Sequence, residues 1–209
     1  PGHRAEAAAV VAAVNLVKVF QASNRSIDCA DLIEMEWKSS SKPGFGKQVL
    51  RFFIKGGPIF CFRMAGKYAP KARREIERVY SNANQNGTQR GPVSCAALVA
   101  RKMGASDQHA VMAAGFAGGI GLSGGACGAL GAAIWLKSLS RTAAGISQME
   151  MVHPEDSQVF EKFLTYSDYG IECQEIVGRK FAHVDEHAEY LQAGGCSKII
   201  EGMANLEQV

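Results

Sequence analysis

Six cysteines are the residues of this chain with the clearest chemistry: Cys29, Cys61, Cys95, Cys127, Cys173 and Cys196. The closest two are 23 positions apart, so there is no CxxC pair, no zinc-ribbon spacing and no CxxCH haem-attachment site. With 209 residues, the chain is too long and too cysteine-poor for a small scaffold held by disulfides. What the six share is local context. Each follows a helix breaker or cap: Ser26 before Cys29, Gly57-Pro58 before Cys61, Gly91-Pro92 before Cys95, Gly124-Gly125 before Cys127, Gly170 before Cys173, and Gly195 before Cys196. All six are therefore expected in the first turn of a helix.

At that place unpaired backbone N–H groups and the positive end of the helix dipole face the sulfur and favour thiolate. A dipole contribution of roughly 0.3–1 kcal/mol lowers a thiol pKa by less than about one unit. That makes a mildly acidic thiol, not a set of adjacent thiolates. Converging sulfurs would need a metal or iron–sulfur cluster to compensate their charge, or would be paired as disulfides. The bland alternative is that small cysteines fill crowded helix starts.

Other motifs carry less. Gly119-Ile120-Gly121-Leu122-Ser123-Gly124 spells G-x-G-x-x-G, but a helical pattern precedes it and no acid follows until Glu150, so NAD is not expected. His183 and His187 are four apart without the zincin glutamate, and read as an exposed polar helix face rather than a metal site.

The elements that must position these residues read as helices. Helical patterns run from Arg4 to Phe20, Ile27 to Trp37 (capped by Asn24 or Ser26) and Pro58 to about Tyr80, and the short apolar run from Gln48 to Ile54 fits a strand or a helix, with helix favoured. Residues 39–44 are a loop and residues 81–89 the best linker. Beyond it, helices are expected from Pro92 to Met103, Ser106 to Phe116, Gly125 to Ser140 and Pro154 to Tyr166, with short ones holding Cys173 and Cys196. No alternating strand pattern occurs. The fold class is all-α, a multi-helix bundle with a glycine-rich helix–loop–helix corner over residues 113–130. There is also an echo. Ser26 to Ile33 resembles Gly170 to Val177, and Gly56-Gly57 before Cys61 resembles Gly194-Gly195 before Cys196. The chain then divides into an N-terminal helical half, 1–85, and a C-terminal domain, 86–209, with a half-repeat between them.

Composition narrows the function classes. Apolar residues make up 47% and charged residues 21%, ordinary for a globular protein. A net charge of +3 is too small to argue for nucleic acid or an anionic membrane surface. Ala110 to Leu136 carries no charge and is long enough to span a bilayer. Its Gly and Ala content makes insertion marginal, so a buried helix–loop–helix is expected and no membrane span. No secretory leader is visible, and a soluble protein of cytoplasm or periplasm is expected.

With Ser94-Cys95-Ala96, the run from Ala113 to Gly124 leading to Cys127-Gly128-Ala129, and then Cys173 and Cys196 in view, the chain resembles the redox-active C_GCAxxG_C_C family. That family overlaps the non-haem domain of split-Soret cytochromes c. The match covers about residues 86–209. It implies a small α-helical domain in which Cys95, Cys127, Cys173 and Cys196 are the redox or metal residues, and in split-Soret relatives an iron–sulfur centre. One departure is Ala132 where the motif has glycine, with Gly131 beside it. Covalent haem is not carried over, since its attachment motif is absent.

The leading expectation is electron transfer through an iron–sulfur cluster held by those four cysteines, with the N–H groups of Gly124, Gly125 and Gly128 tuning the sulfurs and a redox protein as partner. Thiol–disulfide chemistry without metal, and a non-catalytic helical binding or oligomerisation module, stay open as alternatives, as does a homodimer. Cys29 and Cys61 are either ligands of a second site or packing residues, with packing favoured.

Overall fold

The computed structural model describes residues 2–35, 44–83, 93–145 and 153–206. Eleven helices are found among them: α1 Gly2–Gln21, α2 Cys29–Ile33, α3 Phe45–Ile54, α4 Gly57–Ala83, α5 Cys95–Lys102, α6 Asp107–Ala114, α7 Gly128–Ala143, α8 Pro154–Tyr166, α9 Cys173–Val177, α10 Val184–Gln192 and α11 Ser197–Ala204. No strand occurs among the described residues, only an isolated antiparallel bridge between Ala126 and Glu172. The chain is all-α. No described helix is long and apolar enough to cross a membrane; the uncharged 110–136 stretch is the end of α6, the glycine corner and the start of α7. Pro92, most of the 81–89 linker and most of the 39–44 loop lie outside the described residues.

The chain divides into two compact units, one of residues 1–14 with 79–209 and one of residues 15–78. The division falls inside α1 and α4 rather than near residue 85. In the larger unit, α5, α6 and α7 meet through alanines. Ala96, Ala97, Ala100, Ala110, Ala113, Ala114, Ala132 and Ala133 are all wholly buried, and small side chains let helix axes approach closely. Phe163 of α8 and Met203 of α11, also fully buried, fill the layer beneath. Burial at about 25 cal/mol per Å² of apolar surface makes this core the main source of stability.

Caps fix where the helices begin. Ser94 is buried, accepts the Ala97 N–H at 3.2 Å and donates to the Ala114 carbonyl at 3.1 Å, so one hydroxyl caps α5 and ties it to the end of α6. Ser106 accepts the His109 N–H at 3.2 Å, and Pro154 opens α8 behind His153. The first turns of α1 reach α5 through Glu6, which is buried and paired with Arg101; Arg101 also bonds Asp107 at 3.2 Å.

In the smaller unit Tyr68 of α4 donates to the Leu16 carbonyl at 2.9 Å and stacks edge-on against Phe20, centroids 5.0 Å apart. The expected helix from Ile27 to Trp37 is only five residues long. Its N-cap is Asp28, and Ser26 instead accepts the Asp28 N–H and donates to Asp31. The two short cysteine helices of the echo have the same local form. Like α2, α9 has five residues, starts at its cysteine, follows an extended acidic N-cap (Asp28, Glu172) and ends on a left-handed residue (Glu34, Gly178). Cys61 and Cys196 differ in position: Cys61 is the fifth residue of the long α4, whereas Cys196 precedes α11.

Gly128 marks the tightest approach. A Cβ there would overlap the Phe116 carbonyl oxygen and carbon. Backbone cannot rotate away as a side chain can, so Gly128→Ala should destabilise the larger unit by about 1–3 kcal/mol. Urea unfolding should show a lower midpoint, while Gly131→Ala, which would meet only the Phe116 ring at 3.9 Å, should stay near wild type.

Candidate functional site

The glycine run folds into a left-handed turn. Gly118, Gly119, Ile120, Gly121 and Leu122 all have φ between 57° and 78°. Glycine takes this region without cost, but Ile120 and Leu122 each carry about 1–3 kcal/mol of backbone strain. Hydrogen bonds hold the turn shut: Gly121 N–H to the Gly115 carbonyl at 2.9 Å, Leu122 to Ala117 at 3.0 Å and Gly124 to Gly118 at 2.9 Å. A Cβ on Gly121 would sit 2.6 Å from the Ala13 carbonyl of α1, so side-chain-free backbone is needed there.

The turn ends on Gly124, itself at φ 85°, and brings Gly124 to Cys127 beside Ile171 to Gln174. Cys127 N–H bonds the Ile171 carbonyl at 3.0 Å, Cys173 N–H the Gly125 carbonyl at 2.7 Å and Gln174 N–H the Gly124 carbonyl at 3.0 Å. This short ladder pins the starts of α7 and α9 together. It also explains why α7 starts at Gly128 and not at Gly125: residues 124–127 are used for pairing.

The cysteines take helix-start positions. Cys95 and Cys173 are the first residues of α5 and α9, and Cys127 and Cys196 are the N-caps of α7 and α11. All four line one small cavity of about 10 Å³ together with Ala129, Ile176, Val177, Phe181, His187 and Ile199. Space of that size holds about one water. Cys95, Cys127 and Cys173 are buried and Cys196 half-buried, all as free thiols. Cys29 is exposed and Cys61 half-buried, and neither lines this cavity. The packing role expected of Cys29 therefore does not hold.

Backbone N–H groups reach the sulfurs, but not those expected. The Gly118 N–H near Cys95, and the Ala129 and Leu130 N–H groups near Cys127, favour the thiolate of each. Tyr190 Oη lies 3.9 Å from Cys196 Sγ. Gly124 and Gly125 instead spend their N–H groups on Gly118 and Ser123 and offer their carbonyls to α9.

Burial, not the dipole, decides the thiol acidity. Desolvation pushes Cys95, Cys127, Cys173 and Cys196 up from their ordinary value, with the Gly118, Ala129 and Leu130 N–H groups opposing only in part. At Cys95 and Cys173 the charge of neighbouring thiols adds to the rise, and Cys173 is pushed up to about 12. The mildly acidic thiols expected from helix-start placement are not what this enclosure makes. Among the described residues, no three of His, Cys, Asp and Glu are grouped so as to hold one metal ion. A tetrahedral thiolate ion site would need its sulfurs within about 3.8 Å of one another.

His187 was not legible as part of the site. Far from lying on an exposed face, it is buried, its ring edge-on to Phe181 with centroids 4.8 Å apart. Its Nδ1 lies 3.0 Å from the Val93 carbonyl. A carbonyl only accepts, so Nδ1 carries the proton and neutral His187 keeps its lone pair on Nε2. Desolvation lowers its pKa, which favours that neutral form. The bond fastens α10 two residues ahead of Cys95. A signal was present: Val184, His187, Ala188 and Leu191 share the apolar stripe of α10. His183 is the α10 N-cap and accepts the Glu186 N–H at 3.2 Å.

Burial of Cys173 has a consequence for stability. The folded state keeps this proton up to about pH 12, whereas an ordinary thiol loses it near 9.0. The reduced, metal-free protein should thus be fully stabilised by this group below pH 9 and lose that contribution as pH rises toward 12. Thermal midpoints measured across alkaline pH should fall, and Cys173→Ser should flatten the slope.

Comparison with known proteins fits this picture of four cysteines around a glycine corner. No curated protein and no solved structure matches the chain. One family model does, over residues 92–208, and its description is "Putative redox-active protein (C_GCAxxG_C_C)". That span takes in Cys95, the glycine corner, Cys127, Cys173 and Cys196, and more than half of the chain. The protein belongs to the C_GCAxxG_C_C family of redox-active proteins.

Proposed function

We propose that Cys95, Cys127, Cys173 and Cys196 ligate an iron–sulfur cluster, and that the protein carries single electrons between two redox proteins. The observation that carries this reading is the convergence of four cysteines from four separate helix starts on one apolar cavity. The donor set is that of cysteine-ligated clusters. The cavity has room for about one water, so loading requires the shell to open. Its half-buried members, Cys196, Ile176 and Val177, are the side with freedom to move.

Acidity supports a metal over free thiols. Thiol–disulfide exchange runs on a thiolate whose pKa lies near ambient pH, and burial raises all four of these thiols. Coordination removes the thiol proton outright and offsets the charge that burial penalises. When bound, the cluster supplies reversible one-electron oxidation and reduction.

The chain's residues then have separate tasks. The four thiolates hold the group. Gly118 N–H on Cys95, and Ala129 and Leu130 N–H groups on Cys127, favour the more negative reduced state and so raise the potential. Phe181, Ile199 and Ala129 keep water away. Tyr190, beside Cys196, marks the thin edge where an electron partner would dock.

Protein prepared anaerobically should contain iron and acid-labile sulfide, and should show thiolate-to-iron absorption in the visible and an EPR signal in one oxidation state. Serine replacement of any of the four cysteines should change that signal, whereas Cys29→Ser and Cys61→Ser should not. A colourless, iron-free protein whose cysteines are alkylated only after reduction would replace the cluster with a disulfide.

A further inference from the structure

The smaller unit carries a face that the redox site does not use. Between residues 44 and 74 the sequence has eight Lys or Arg and no Asp or Glu. Lys47, Arg51, Lys55, Arg63, Lys67, Lys71, Arg73 and Arg74 are all exposed. Lys71 bonds Ser23 and Arg73 pairs with Glu77. Among the described residues Lys47, Arg51, Lys55, Arg63 and Lys67 form no ion pair. The chain's net charge of +3 hides this asymmetry, because the acids lie elsewhere.

Large apolar side chains stand in the same stretch. Phe53 is 62% exposed, Ile54 77%, Ile59 67% and Phe62 79%, with Leu50 and Phe60 also exposed. They cluster on either side of the turn at Lys55 and Gly56, where α3 ends and α4 begins. Leu50, Phe53 and Ile54 share one face of α3 by their spacing, and Ile59 and Phe62 one face of α4. The turn is built to hold this shape: Gly56 has φ 72°, and a Cβ on Gly57 would overlap the Phe52 ring. Exposed apolar groups of this size mark an interaction surface.

The charge says what covers it. A second copy of the chain would bring Lys47, Arg51, Lys55, Arg63 and Lys67, none of them in an ion pair among the described residues, face to face with the same five. Phe53, Ile54, Ile59 and Phe62 each keep more than half of their surface in solvent, so the apolar groups project as a tip and do not enclose a peptide. A tip with Lys and Arg on both flanks is the pattern of a segment lying in a lipid interface. We propose that the α3–turn–α4 segment docks on an anionic bilayer surface. Phe53, Ile54, Ile59 and Phe62 enter the boundary of the acyl region, and Lys47, Arg51, Lys55, Arg63 and Lys67 face lipid headgroups. The protein would then sit on a membrane without spanning it.

The test is sedimentation of the full chain with vesicles. Wild type should pellet with phosphatidylserine-containing phosphatidylcholine vesicles, remain in solution with phosphatidylcholine alone, and be released by salt. The combined change Lys47→Glu, Arg51→Glu and Arg63→Glu should lower partitioning by more than about tenfold. Phe53→Ser with Phe62→Ser should lower it about tenfold while leaving circular dichroism unchanged, since both side chains are exposed. Equal binding to neutral vesicles, no binding at all, or binding indifferent to the Phe53 and Phe62 changes would overturn the proposal. So would a wild-type dimer that these two changes dissociate, or equally Phe-dependent binding to polyglutamate, which would mark a protein partner.

Discussion

Three backbone hydrogen bonds between Gly124–Cys127 and Ile171–Gln174 are the constraint on which the site rests. They join two helix starts that lie 46 residues apart in the chain, and each of those starts bears a cysteine. Nothing else in the larger unit is paired in this way among the described residues, since Ala126 with Glu172 is its one bridge. The ladder requires the chain to reverse at Gly124, and it does so because Gly118 to Leu122 and Gly124 itself all take positive φ. That turn in turn requires backbone without side chains at Gly121, against α1, and at Gly128, against Phe116. Strain at Ile120 and Leu122 is the cost of this arrangement, offset by the buried alanine core that holds both sides of the corner.

The same corner sets the electrostatics. Backbone N–H groups lie near Cys95 and Cys127, which favours thiolate there, and all four thiols are in an apolar enclosure, which favours thiol. Desolvation is the larger effect, so the unloaded site holds protons tightly. A site of this kind resists both alkylation and disulfide exchange yet suits a cation that displaces protons, because the penalty belongs to uncompensated charge and not to sulfur itself. His187 adds rigidity from the far side. Its bond to Val93 and its contact with Phe181 tie α10 to the start of α5, so that Cys95 is held from two directions, by His187 below and by Ser94 at the cap.

Much of this was legible in the sequence because breakers announce helix starts. Ser106 and Pro154 stand where helices begin, whereas α5 starts at Cys95 behind Ser94, later than the expected Pro92. Cys95 and Cys173 are first-turn residues as expected, while Cys127 and Cys196 sit one place earlier, as N-caps. What local pattern could not convey was long-range use. Gly124 and Gly125 look like N–H donors to sulfur, but their pairing partner is α9, which no local window reveals. Cys61 has the same preceding glycines as Cys196, yet Pro58 lets α4 begin earlier and carries it into the second turn. His187 looked polar because its neighbours Asp185 and Glu186 are; its place on the apolar stripe of α10 was the better guide. The basic face of α3 and α4 was concealed by a whole-chain charge sum. It becomes visible only when the distribution of charge along the chain is read together with exposure.

Native mass spectrometry of the protein purified without oxygen weighs what the four cysteines hold. The mass should exceed that of the polypeptide by a whole iron–sulfur cluster, and the excess should vanish when Cys95, Cys127, Cys173 and Cys196 are together replaced by serine. A mass equal to the reduced polypeptide, or lower by the hydrogens of a disulfide, would contradict cluster ligation by these residues.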